Sequence, residues 1–190
     1  MSAQKMIKEN IKEENIKEDL SISLIKANLY AFLTPLPFIL LFSVNYIYIW
    51  GLESFSKGFI IFSFRFLLVI LIGIPIHEII HWIVLIIGKK SAKNVKFGFH
   101  IKALCPYVSC KEPVAVQLYR IAIIMPGIIL GILSSVYGII TGDSLILLWG
   151  LVFIFAAGGV LLVLWLIRKV FIDEYVLDHP KKAGCYVIKS

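Results

Sequence analysis

The sequence predicts an all-α membrane protein with about four transmembrane helices and a small β-like cytoplasmic hairpin between the second and third helices. Three observations support this prediction. Hydrophobic residues make up 59% of the 190 residues and charged residues 16%, against about 25% charged residues in a typical soluble domain. Apolar stretches recur along the chain, and lysines cluster in alternate links between them. A soluble domain of this size cannot bury so much apolar surface, so the lipid bilayer is the expected surrounding.

Residues 1–27 are predicted to form a polar cytoplasmic tail, and residues 28–190 a membrane-embedded domain that includes a C-terminal cytoplasmic tail. The N-terminal tail contains a loose Ile-Lys-Glu repeat. Neighbouring lysines and glutamates suit a solvated helix. This segment is charged rather than apolar, so it does not resemble a cleavable signal peptide. We therefore expect the first spanning helix to act as the insertion signal.

Four apolar segments are long enough to cross a bilayer core of about 30 Å, which requires about 20 helical residues. They cover residues 29–50, 66–88, 116–140 and 145–167. The two tails and the central link are rich in lysine. The first link contains Lys57, with Arg65 at the outer end of the second helix, and the third link contains no lysine or arginine. Positive residues mark the cytoplasmic side, so both termini and the central link are predicted to be cytoplasmic.

The central link, residues 89–113, contains an alternation of apolar and polar residues that predicts a short β-hairpin. A structured connector is the alternative interpretation. The alternating residues are Val95, Phe97, Phe99 and Ile101 on one side, and Lys96, Gly98, His100 and Lys102 on the other.

The net charge of +7 is explained by basic loops that face the cytoplasm and an anionic leaflet. No nucleic-acid motif is present, and no nucleic-acid partner is expected. The chain has three cysteines, Cys105, Cys110 and Cys185. An odd number on the reducing cytoplasmic side predicts ordinary thiols rather than a disulfide framework.

The second predicted helix contains the sequence His77-Glu78-Ile79-Ile80-His81. A spacing of four places both imidazoles on one helix face, one turn apart, where they can bind one Zn²⁺. Glu78 lies beside that metal position and can act as a general base. Two histidines satisfied by helix packing are the alternative. However, an ionisable residue inside a span costs roughly 2.5–3.5 kcal/mol, which indicates a functional role.

A catalytic zinc site needs a third protein ligand. Asp178 or His179, in the Asp-His-Pro turn of the C-terminal tail, is the first choice. The second helix ends about seven residues beyond His81, or about 10 Å away, so a tail that folds back could reach the metal. A solvated loop residue is the alternative for each candidate. Further candidates on the same side are His100, Asp173 and Glu174.

The sequence resembles the bacterial putative zincin peptidase family, which comprises small integral membrane metallopeptidases reminiscent of site-2-type proteases. The resemblance extends from the first helix to Val187. It implies that residues 28–190 form a zincin-like peptidase domain in a bacterial plasma membrane, with zinc at His77 and His81 and Glu78 as acid and base. Besides His77–His81, the matching features are Lys96-Phe97-Gly98-Phe99, Pro106-Tyr107, Lys111-Glu112-Pro113, Met125-Pro126, Leu177-Asp178-His179-Pro180 and Gly184-Cys185.

One position departs from the family pattern, which has a Gly-Asp pair after small residues in the fourth helix. This chain has Gly158-Gly159 there. An aspartate at position 159 would lie at a suitable depth to be the third zinc ligand. Its absence implies that a tail residue substitutes, that metal affinity is reduced, or that catalysis has been lost.

Three functional hypotheses follow. The first is a zinc peptidase that cleaves a membrane-associated or cytoplasm-facing polypeptide, with an edge strand of the central link pairing with the extended substrate. The second is a catalytically inactive pseudoprotease that acts as a membrane binding or scaffold protein. The third is a transporter, because intramembrane ionisable residues can mark an ion pathway. The substrate and the oligomeric state are not predicted by the sequence.

Overall fold

A computed structural model of the chain describes residues 15–89, 95–100, 105–110 and 112–189. These residues are mostly helical, as predicted, with two small antiparallel sheets. In chain order the elements are β1 (Ile16–Ile22), α1 (Leu24–Leu33), α2 (Leu36–Lys89), β2 (Val95–His100), β3 (Cys105–Cys110), β4 (Val114–Ala115), α3 (Val116–Pro126), a π-helix (Gly127–Leu133), α4 (Ser134–Thr141), α5 (Ser144–Ala156), α6 (Gly158–Leu166), β5 (Tyr175–Asp178) and β6 (Ala183–Ile188).

Helix α2 is interrupted at Gly51, where φ is 82° and ψ is 157°. Glycine adopts this backbone conformation readily because it has no Cβ atom. The side-chain oxygens of Tyr46 and Ser54 are 3.0 Å apart, although residues eight apart in a straight helix are separated by about 12 Å. The Tyr46 hydroxyl also donates to the carbonyl oxygen of Gly142 at 2.6 Å. The chain therefore bends sharply at Gly51.

The helices include two stretches in the described residues that are long and apolar enough to cross a membrane, Leu24–Gly88 and Val116–Thr141. Helices α5 and α6 form a third candidate if the pair, bent by 40°, is counted as one span. The first predicted link is helical apart from Gly51, which differs from the expectation of a loop between the first two spans. Four separate spans stay a prediction.

The larger sheet has the strand order β1-β6-β5-β4 and joins the two tails of the chain. Strand β1 pairs antiparallel with β6 from Ile16 opposite Ile188 to Ile22 opposite Ala183. This part of the N-terminal tail is therefore a strand, and the expected solvated helix is wrong for it. The first 14 residues lie outside the described part. Because both tails contribute strands, the all-α class predicted from the sequence describes the long apolar helices but not these tails.

The smaller sheet is the hairpin of β2 and β3, which pair antiparallel from Val95 opposite Cys110 to His100 opposite Cys105. The alternation of the central link predicted this hairpin correctly. The rings of Phe97 and Trp82 are 6.0 Å apart, which places the hairpin against α2 one residue beyond His81.

Two apolar cores are present in the described residues. One lies between α2 and α5 and contains Tyr46, Leu147 and Phe153. The other lies where α2 and α3 meet the larger sheet, and it contains Leu85 and Val176 among others. The His77–His81 segment of α2 lies between these two cores.

Cys185 on β6 has no exposed surface, and burial raises the pKa of its thiol to about 12. Because the thiolate is the reactive form, we expect this thiol to be alkylated at least roughly tenfold more slowly than an exposed cysteine at pH 8. The measurement is the rate of iodoacetamide labelling, followed by mass spectrometry, in the variant that carries Cys105→Ser and Cys110→Ala. Labelling of the folded protein as fast as that of the SDS-unfolded protein would contradict this prediction.

Candidate metal centre

His77, Glu78 and His81 lie together on the helical part of α2 that follows Gly51. The two imidazole centroids are 4.8 Å apart, with 75° between the ring planes. One ligand atom from each of the three residues lies within 4.8 Å of the others. Among the described residues, these three form the group of His, Cys, Asp or Glu side chains whose ligand atoms lie close enough together to hold one metal ion. The four-residue spacing predicted this proximity.

Helix α5 holds the His77 ring from one side. The Phe153 ring is stacked on that of His77, with 6.0 Å between centroids and 27° between planes. Gly73, one turn before His77, allows this approach, since a Cβ atom at that position would overlap the Phe153 ring. The local sequence therefore lets the two helices come close beside the first histidine.

The His81 ring is held by a backbone group of α3. Its Nδ1 atom is 2.6 Å from the carbonyl oxygen of Ala122. A carbonyl oxygen only accepts hydrogen bonds, so Nδ1 carries the proton and donates it. The lone pair of the neutral ring is then on Nε2, which is the nitrogen left for a metal. Metal-binding histidines commonly donate their other ring N–H to a carbonyl or carboxylate in this way.

The site contains buried polar atoms with no partner. The Nδ1 atom of His77 and the Oε2 atom of Glu78 are both buried and make no hydrogen bond. Such an atom costs about 1–3 kcal/mol in folding free energy, so a pair of them in one place indicates a ligand. Two imidazoles beside a carboxylate are a donor set typical of zinc. The residues present therefore fit a zinc ion.

Asp178, a predicted third ligand, lies at the end of β5 and accepts a hydrogen bond of 2.6 Å from the Tyr119 hydroxyl. Tyr119 is three residues before Ala122 on α3, so the two residues lie on one face of that helix, about one turn apart. Asp178 thus approaches the helix that holds His81, although it does not join the group of three converging residues. Burial raises the pKa of the Asp178 carboxyl to about 6, against the opposing effect of the Tyr119 hydrogen bond.

His179, the other predicted third ligand, uses its Nδ1 atom within its own turn. That atom accepts hydrogen bonds from the backbone N–H groups of Lys181 and Lys182, at 3.0 and 2.8 Å. Its ring lies 4.7 Å from that of Tyr186, and desolvation lowers its pKa. The identity of the third ligand, Asp178 or His179, stays a prediction.

The other candidates have different surroundings. Glu174 pairs with Lys17 and accepts a hydrogen bond from the Phe171 N–H at 2.9 Å. Asp173 is exposed, and the side chain of His100 lies outside the described part. None of them belongs to the converging group.

The Tyr119–Asp178 hydrogen bond joins α3 to the larger sheet beside the metal centre. We expect Tyr119→Phe to lower the free energy of unfolding by about 1–2 kcal/mol, because it leaves the half-buried carboxyl of Asp178 without its donor. Thermal unfolding of the metal-free protein in mild detergent measures this change. Tyr48→Phe is the matched control, since Tyr48 is 89% exposed. Equal stability of the two variants would count against the stabilising role of this bond.

Gly159 lies near the start of α6. A Cβ atom added there would have the Ala31 Cβ atom as its nearest neighbour, at 3.9 Å. This is an ordinary van der Waals contact, so packing does not require glycine at position 159. The preceding Gly158 differs, since a Cβ atom there would overlap the Ala31 carbonyl oxygen.

A family model described as putative zincin peptidase matches residues 70–175. The matched part is more than half of the chain and contains His77, Glu78 and His81, and it ends before Asp178 and His179. No curated protein and no solved structure matches the chain.

Proposed function

The chain belongs to the putative zincin peptidase family, and on that basis we propose that it is a membrane-embedded, zinc-dependent metallopeptidase. The observation that carries this proposal is the convergence of His77, Glu78 and His81, with ligand atoms within 4.8 Å of one another. The buried atoms of His77 and Glu78 that have no partner support the presence of a ligand there.

In this proposal, His77 and His81 bind the zinc ion. Zinc bound there would lower the pKa of a coordinated water to about 7 and polarise a peptide carbonyl. The Glu78 carboxylate takes a proton from the attacking water and delivers it to the nitrogen of the leaving amine. The Ala122 carbonyl keeps the proton of His81 on Nδ1, and Phe153 covers one face of the His77 ring.

We also propose four spans with both termini in the cytoplasm, as the distribution of lysines predicts. The break at Gly51 would divide Leu24–Gly88 into two antiparallel spans. Two contacts support a reversal of the chain there. Tyr46, before the break, bonds to Gly142, and Gly58, after the break, lies against Ser144. A bacterial plasma membrane is the proposed location, from the resemblance to the family.

The proposed substrate is a membrane-associated polypeptide in an extended conformation. The contact between Phe97 and Trp82 supports this proposal, because it brings the β2–β3 hairpin close to His81. An extended peptide could add a strand to an open edge of the hairpin, where backbone hydrogen bonds would hold it for cleavage.

A catalytically inactive pseudoprotease is the second candidate function. It is favoured by Gly159, where the family resemblance implies an aspartate. It is also favoured by the lack, within the described residues, of a further side chain that joins the three converging ones. Such a protein would bind zinc and a partner polypeptide without cleaving it.

The experiment that tests the peptidase proposal uses the full-length protein in proteoliposomes. Peptide libraries and single-span membrane polypeptides are incubated with zinc-loaded protein, with chelator-treated protein and with the His77→Ala variant. We expect cleavage by the zinc-loaded protein, loss of cleavage after chelation and recovery on adding zinc. Cleavage that persists after chelation and in His77→Ala would refute the proposed site. Bound zinc without cleavage of any polypeptide would favour the pseudoprotease.

A further inference from the structure

A cavity of about 400 Å³ opens between α2 and the helices α4 and α5, and its lining does not include His77, Glu78 or His81. Its lining is mainly apolar and includes Phe62, Val69 and Trp149. Two polar residues also line it, Arg65 and Ser134. Ser134 has a hydrogen bond of its own, from its hydroxyl to the carbonyl oxygen of Ile129. The guanidinium of Arg65 is therefore the charged group of the cavity.

Arg65 lies on the face of α2 that packs against α5. Phe62 and Val69 are each 7% exposed and belong to the core between α2 and α5. Arg65 is three residues after Phe62 and four before Val69, so the three side chains share a helix face. Arg65 itself is exposed and makes no hydrogen bond or ion pair with another described residue.

The surroundings of Arg65 favour the binding of an anion. A cation in an apolar span is costly, and arginines near helix ends extend toward the headgroup region. Gly58 lies against Ser144 at the start of α5, and Arg65 is seven residues, or about 10 Å, farther along α2. An extended arginine side chain covers most of that distance. In the proposed four-span arrangement this end of α5 faces the outer headgroup region, so the guanidinium extends toward the phospholipid phosphates.

We propose that this cavity binds one phospholipid, whose phosphate pairs with the Arg65 guanidinium and whose acyl chain lies along Phe62, Val69 and Trp149. Arginine binds phosphate through two parallel hydrogen bonds, which suits this role. The apolar lining favours a phospholipid over free phosphate, because a free ion would make no apolar contact with the part of the lining that faces the cavity. The site requires a protein in a membrane, but it does not depend on peptidase activity.

The test uses delipidated full-length protein in detergent. Native mass spectrometry measures the binding of phosphatidylglycerol, and thermal unfolding measures the stabilisation that it gives. Diacylglycerol with the same acyl chains and inorganic phosphate are tested in parallel. We expect one tightly bound phosphatidylglycerol, a higher melting temperature with that lipid, and a smaller effect of either partial ligand.

The variants are Arg65→Gln, Arg65→Lys and Arg168→Gln. Arg168 is the matched control. Its guanidinium stacks on the ring of Trp165 in α6, 3.8 Å from the ring centroid, and Arg168 does not line the cavity. We expect Arg65→Gln to weaken phosphatidylglycerol binding by at least about tenfold, Arg65→Lys to retain more binding than Arg65→Gln, and Arg168→Gln to bind like the wild type.

Three results would overturn the proposal. Equal binding by Arg65→Gln and the wild type would remove the role of the guanidinium. Equal stabilisation by diacylglycerol would reduce the cavity to a general apolar groove. Full stabilisation by inorganic phosphate alone would make it a site for a free anion.

Discussion

Replacement of Glu78 by glutamine is expected to lower peptide hydrolysis by about 10²–10⁴-fold while one zinc ion per chain stays bound. Glutamine has nearly the shape of glutamate, but it cannot accept the proton of the attacking water, and general-base catalysis contributes effects of this size. His77 and His81 remain to bind the metal. The measurements are turnover by zinc-loaded protein in proteoliposomes and elemental analysis of the same preparation.

His77→Ala is the matched variant for this prediction, because it removes a ligand and leaves the base in place. We expect it to lose both zinc and hydrolysis. Equal hydrolysis by Glu78→Gln and the wild type would remove the assigned role of Glu78. Loss of zinc from Glu78→Gln would instead identify the carboxylate as a ligand of the metal.

The substitution Gly158→Ala is expected to lower the free energy of unfolding by about 1–3 kcal/mol, the usual cost of overpacking. A Cβ atom at position 158 would overlap the carbonyl oxygen of Ala31 and lie 3.1 Å from the Cδ atom of Pro35. Backbone atoms cannot rotate away as a side chain can, so α1 and α6 must separate. The Gly158 carbonyl also accepts a hydrogen bond from the Thr34 hydroxyl at 3.1 Å, which this separation would weaken.

Gly159→Ala is the control, one residue along the same helix. A Cβ atom there would be 3.9 Å from its nearest neighbour, and alanine favours a helix over glycine by up to about 1 kcal/mol. We therefore expect Gly159→Ala to be neutral or stabilising. Unfolding by SDS titration in mixed micelles measures both variants, and equal destabilisation of the two would show that the contact with Ala31 does not limit the packing.

Local patterns in the sequence were enough to predict long apolar helices, the hairpin and the proximity of His77 and His81. Each depends on residues close in sequence. The apolar stretches give the helices, the alternation after Val95 gives β2, and the four-residue spacing places both imidazoles on one face. Family membership, predicted from the same motif together with weaker ones, is confirmed by the match to residues 70–175.

The link after Gly51, expected to be a loop between the first two predicted spans, is helical. The sequence contains a local signal for this helix. Glu53 and Lys57 are four residues apart and form an ion pair at 2.7 Å, in the arrangement that stabilises an exposed helix turn. This pair is a local sequence signal that the helix extends back toward Gly51.

Other features depend on parts of the chain that are far apart in sequence. The strand β1 pairs with β6, and Ala122 holds His81 across 41 residues. The second of these contacts uses a backbone carbonyl, which every residue possesses, so no side-chain pattern marks it. The Tyr119–Asp178 bond likewise follows from the fold and not from either local sequence.

The pairing of β1 with β6 has a consequence for biosynthesis. Strand β1 leaves the ribosome before any of the helices, whereas β6 follows all of them. At about 5–20 residues per second, the first strand waits roughly 10–30 s for its partner, with its backbone donors and acceptors unpaired. During that interval it is open to association with other nascent chains, and a translation product that stops before Ala183 never provides the strand to which it pairs.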